Sequence, residues 1–91
     1  MLSPLEMAMQ ADEQAAIFIK NIEESGDKVF ETVDGKNYIS TEAIAALTYV
    51  SNESMAGCDD LKTTSIKVMY LFSAVAAASK GKTLFESLLG V

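Results

Sequence analysis

Apolar residues recur at helical spacing through the first two dozen positions: Leu5, Ala8, Met9, Ala15, Ala16, Ile19 and Ile22, with Met7, Ala11 and Phe18 widening the stripe. One acid, Asp12, falls on this stripe. Ahead of it, Ser3-Pro4-Leu5-Glu6 offers a capping hydroxyl, a proline at the first helical position and a glutamate three residues after the cap. The pattern predicts a helix from Pro4 to Glu24, closed by Gly26. The period then changes. In "KVFETVDGKNYIS", residues 28–40, two β-prone runs flank Asp34-Gly35, a pair suited to a type I′ turn because that turn needs positive φ at both central positions. A two-residue loop pairs Val33 with Lys36, Glu31 with Tyr38 and Phe30 with Ile39. A lone hairpin is marginal in water, so this one is expected to lie on helices.

Helical spacing resumes after the hairpin. Ser40 or Thr41 can cap a helix running to about Ala56 and stopping at Gly57. Asp59 or Asp60 can cap a longer one reaching Ser79, with Gly81 beyond its end. Its stretch "IKVMYLFSAVAAA", residues 66–78, is apolar nearly all round, interrupted by Lys67 and Ser73. At thirteen residues it falls short of the roughly 20 that a bilayer span requires. It reads as a buried central helix or a seam between subunits, with Ala74, Ala76, Ala77 and Ala78 allowing close approach of another backbone. "TLFESLLGV" predicts one or two further helical turns from Thr83. The expected fold is mainly α: one small domain over residues 1–91, with three principal helices, one β-hairpin and a short C-terminal helix.

Composition narrows the chemistry. A chain of 91 residues buries roughly 60–65% of its unfolded surface, enough for one modest core. Thirteen acids against seven lysines give a net charge of −6, and there is neither arginine nor histidine. Histidine is the usual general base near neutral pH and the commonest metal ligand; arginine is the usual fork for phosphates and guanine edges. Catalysis, a bound metal and a cofactor are therefore not expected. Cys58, the single cysteine, excludes an internal disulfide and a multi-cysteine zinc site, and Asp59 and Asp60 oppose a reactive thiolate there. The acidic pairs Asp12-Glu13, Glu23-Glu24 and Asp59-Asp60 lack the alternate-residue oxygen spacing of a calcium loop. "MLSPLEMAMQ" has no basic segment followed by an apolar core, so a cytoplasmic location is expected, with no membrane association.

Two motif-like stretches need weighing. "AAASKGKT", residues 76–83, fits a loose phosphate-loop pattern of a small residue, four of any kind, then Gly-Lys-Thr. Such a loop joins a buried strand to a helix within a parallel sheet, whereas this one follows a helical run with eight residues after it. The reading adopted is a helix C-terminus, with Gly81 turning the chain and Lys80 and Lys82 complementing the dipole. "IAALTYVSNESM", Ile44 to Met55, resembles the helix-turn-helix consensus at Ile44-Ala45, Val50-Ser51 and Met55. Tyr49 stands at the turn where that motif has glycine, Glu53 sits on the would-be recognition helix, and no lysine lies between Asn37 and Leu61. Affinity for DNA comes mostly from neutralising phosphates, so one amphipathic helix is the expectation and nucleic-acid binding is not.

What remains is a binding role. The expected function is that of a small acidic cytosolic protein without enzymatic activity, acting as inhibitor, adaptor or sequestering protein of the sort phage and mobile elements encode. The alternatives are a helix-turn-helix-like transcription-associated regulator and an oligomer that sequesters a small ligand where its subunits meet. A basic or neutral protein partner suits the net charge. Glu31, Asp34, Tyr38 and Tyr49 are the candidate partner contacts. Excess apolar surface predicts a homo-oligomer, preferably a dimer, with Tyr70, Ala74, Ala77, Phe85 and Leu88 as candidate interface residues.

Overall fold

A computed structural model describes residues 2–91. Its elements are α1 (Pro4–Glu24), β1 (Phe30–Val33), β2 (Lys36–Ile39), α2 (Thr41–Ala56), α3 (Leu61–Ser79) and α4 (Leu84–Leu89). The mainly α fold with a single antiparallel hairpin is as expected.

Local chemistry accounts for most of the boundaries. Ser3 and Glu6 form a reciprocal capping box at α1, and Thr83 and Glu86 form another at α4. Ser40 caps α2 and Asp60 caps α3, which selects one residue from each expected pair. The hairpin register pairs Phe30 with Ile39, Glu31 with Tyr38, Thr32 with Asn37 and Val33 with Lys36. Asp34 and Gly35 take φ of 53° and 78°, the two positive values of a type I′ turn.

The "AAASKGKT" stretch is the end of α3. Gly81 N–H donates to Ala78 O at 3.0 Å and Lys82 N–H to Ala77 O at 3.1 Å, the paired bonds of a Schellman motif, with Gly81 at φ 75°. A phosphate-cradling loop needs backbone donors free to turn inward; these two are committed to the helix. Ile44 to Met55 lies within the uninterrupted helix α2, so no turn separates two helices there.

Ala11, Ala15, Leu47, Leu71, Ala74 and Val75 form the buried cluster, with Phe18, Phe30, Ile39, Tyr70, Phe72 and Leu84 packed around it. α1 turns Ala8, Ala11 and Ala15 inward and packs most extensively on α3. Small side chains on this face leave room for larger ones from α2 and α3, and Leu47 and Val75 are fully enclosed. Among the described residues, no helix is long and apolar enough to cross a membrane.

Candidate interaction surface

The hairpin stands out from this frame. Every residue from Glu31 to Tyr38 is exposed, yet the segment is well tied. The type I′ turn closes its tip, and the Thr32 hydroxyl donates to Asn37 Oδ1 at 2.7 Å across the strands. At its base, Ser40 N–H donates to Val29 O at 2.8 Å. Phe30 and Ile39, opposite each other in the register, turn to the core. Side chains alternate along a strand, so Glu31, Val33, Lys36 and Tyr38 share the other face. Tyr38 is 51% exposed and lies directly across from Glu31. Asp34 occupies the first turn position.

Beside β2 runs an open groove lined by Tyr38, Ile39, Ile44, Ala76, Ser79 and Lys80. Three elements meet there: the hairpin, the first turn of α2 and the last turn of α3. Tyr49 is not brought to it. Five residues at 100° each place Tyr49 about 140° around α2 from Ile44, and its ring is 68% exposed on the outer side of that helix. The structure thus unites Glu31, Asp34 and Tyr38 and leaves Tyr49 apart.

Placement of the expected oligomer residues divides them. Ala74 requires a correction: it is 1% exposed and sits in the core cluster, so the close backbone approach it permits is made within one chain. Tyr70 is half-buried and packs against the same cluster. Ala77 and Phe85 are half-buried, and Leu88 is exposed on α4. α3 does present apolar side chains outward, namely Ile66 and Met69, the latter 67% exposed.

One contact was not foreseen. Asp12, the acid on the apolar stripe of α1, accepts Leu84 N–H on Oδ1 at 2.8 Å and Phe85 N–H on Oδ2 at 3.0 Å. Those amides open α4 and have no intrahelical acceptor, so a carboxylate from the other end of the chain satisfies both. The detectable signal was the charge itself, out of place among apolar neighbours.

The remaining polar groups are structural in their contacts. The Thr63 hydroxyl donates to Asp60 Oδ2 at 2.7 Å and its N–H to Oδ1 at 3.2 Å, holding the Asp60 carboxyl below the ordinary carboxylate range. The Cys58 thiol is half-buried and donates to Met55 O at 3.0 Å. Ser51 is 4% exposed, and its hydroxyl has no partner among the described residues. Acidic, cysteine and histidine side chains nowhere gather in threes among the described residues.

Charge is divided along the chain. Residues 1–60 hold twelve acids and three lysines, net −9, whereas residues 61–91 hold four lysines and one acid, net +3. α3 is therefore a basic element on an acidic protein. No family model, curated protein or solved structure matches the chain.

Proposed function

We propose that the chain is a non-enzymatic protein-binding domain that holds its partner against the outward face of the hairpin. It acts in the cytoplasm as an inhibitor, adaptor or sequestering protein. The observation that carries this reading is the combination of exposure at every residue from Glu31 to Tyr38 with a hydrogen-bonded, turn-locked backbone. An exposed tyrosine on a backbone already fixed costs little backbone freedom on contact, which makes such side chains effective anchors. Glu31 beside it and Asp34 at the tip outnumber Lys36 on this surface, which favours a partner that is basic or neutral at that point. Self-association through the apolar outer side of α3 and through the tail around Phe85 and Leu88 belongs to the same reading, because exposed apolar strips mark contact surfaces.

The test compares wild type with a Tyr38→Ala, Glu31→Lys, Asp34→Lys variant, each immobilised and exposed to extract from cells that express the protein. A protein retained by the wild type, displaced by free wild type and lost from the variant supports the hairpin surface. Equal retention by a variant with unchanged circular dichroism overturns it.

A further inference from the structure

α1 and α3 each carry, on the side away from the core, a strip with exposed apolar side chains that is bracketed by two like charges, and the brackets have opposite sign. On α3 the strip is Ile66, Met69, Ser73 and Ala76, between Lys62 and Lys80. On α1 the apolar members are Met9 and Ile17, with Glu13 and Lys20 on the same face, between Glu6 and Glu24. All these side chains are exposed, Ile17 at 61% and Met69 at 67%. In both helices the bracketing charges stand 18 residues apart. Eighteen residues make five full turns, so each pair falls on one line along its helix, about 27 Å apart.

The match selects the partner surface. Were the α3 strip to pair with its own copy, lysine would meet lysine at both ends, whether the helices ran parallel or antiparallel. Against the α1 strip, both lysines meet glutamates. Direction follows from what lies between. In the antiparallel register Met69 falls opposite Ile17, Ser73 opposite Glu13, Ala76 opposite Gln10 and Ile66 opposite Lys20, whose alkyl stem can lie along it. In the parallel register Ile66 would meet Gln10, Met69 Glu13, Ser73 Ile17 and Ala76 Lys20, so no apolar side chain would find an apolar partner.

We propose that the outer face of α3 docks the outer face of α1 of a second copy, with the helices antiparallel, Lys62 against Glu24 and Lys80 against Glu6. This rests on the reading that the chain self-associates. Glu24 already holds Lys20 at 3.8 Å, and Lys62 joins that pair from the neighbour. Each strip lies opposite the buried face of its own helix, so the two strips of one copy are separate patches. The contact is then heterologous and propagates head to tail, without the closure of a two-fold dimer. A strip about 27 Å long and about 10 Å wide covers on the order of 300 Å² a side, against roughly 800 Å² for a stable interface. The association is accordingly weak, with half-saturation on the order of hundreds of micromolar.

Light scattering on the full chain, from about 10 μM to about 1 mM, reads the consequence. The wild-type mass should climb with concentration past that of a dimer. Ile17→Asp and Met69→Asp each remove one strip from positions open to solvent, so both variants should fold and both should stay monomeric. Their equimolar mixture should form a 1:1 dimer, because each supplies the strip the other lacks. Lys62→Glu should lower the wild-type association at least threefold, and Glu24→Lys in the same chain should restore it. A wild type monomeric at the highest concentration overturns self-association altogether. Association that both aspartate variants retain, or a mixture that stays monomeric, overturns the face assignment alone. Failure of Glu24→Lys to rescue overturns the antiparallel register.

Discussion

Asp12→Ala removes two acceptors at once from the start of α4. Both bonds run from backbone amides to a carboxylate, at 2.8 and 3.0 Å, in a half-buried setting. A hydrogen bond to a charged group contributes about 1.5–3 kcal/mol net, so the pair sets an upper bound of about 6 kcal/mol. The loss cannot reach that bound, because α4 has only six residues and can fray into water. The tail then forfeits the packing of Leu84 and Phe85, each half-buried and each worth about 1 kcal/mol or somewhat more at that depth. The expected loss is therefore about 2–4 kcal/mol, out of roughly 5–14 kcal/mol for a domain of this length. Asp12→Asn keeps one acceptor oxygen without the charge and should fall between the two. Urea unfolding followed by far-UV circular dichroism gives the stabilities, and amide exchange at Leu84 and Phe85 reports the docking itself. An alanine variant within about 0.5 kcal/mol of the parent, with both amides still protected, would refute the assignment of Asp12 as the anchor of the tail.

Three further outcomes follow from single residues. Gly35→Val should lower stability by about 1–2 kcal/mol through backbone strain alone, since φ is 78° there and open space surrounds an added Cβ; a variant that melts at the parent temperature contradicts the turn type. Ser51→Ala removes a buried hydroxyl that has no partner and raises helix propensity, so stability should rise by about 1 kcal/mol, and a fall would show that the hydroxyl is paired. The Asp60 cap stabilises only as the carboxylate, and its folded pKa is depressed by Thr63, so its contribution is full above the ordinary carboxylate range and is lost as pH falls through the depressed value. The urea midpoints of wild type and Asp60→Ala should accordingly differ at pH 6 and converge in strong acid; a gap unchanged down to pH 2 contradicts the capping account.

The parts of this fold that could be read from the sequence are those governed by neighbours a few residues away. Ser3 with Glu6, Asp34 with Gly35, and Gly81 after Ser79 each state a cap or a turn within four positions, and the structure has all three. α3 shows where that legibility stops. Its apolar residues surround the axis, so periodicity could not say that Ala74 faces inward while Ala76 faces water; only the alanine face of α1 decides it. Asp12 is the same case at longer range, since its partners lie 72 and 73 positions away and nothing local to either end names the other. For the candidate surface, pairing Glu31 with Tyr38 followed from the turn. The separation of Tyr49 from them depended on which side of α2 meets the core.

Ser40 joins two elements through a single oxygen. Its hydroxyl accepts Ala43 N–H at 3.0 Å to cap α2 and donates to Lys28 O at 2.7 Å, while its backbone N–H holds Val29 O, and the residue is fully enclosed. Opening the first turn of α2 therefore leaves the hairpin base without its closing bonds, and opening the hairpin base strips the helix of its cap. The two should breathe as one cooperative unit: the amides of Ser40 and Ala43 should exchange with solvent at a common opening free energy, although one belongs to the end of a strand pair and the other to a helix. A partner that immobilises the hairpin from its outward face, away from the groove, would slow exchange in the first turn of α2 without touching it, so that the helix reports occupancy of a surface several residues distant.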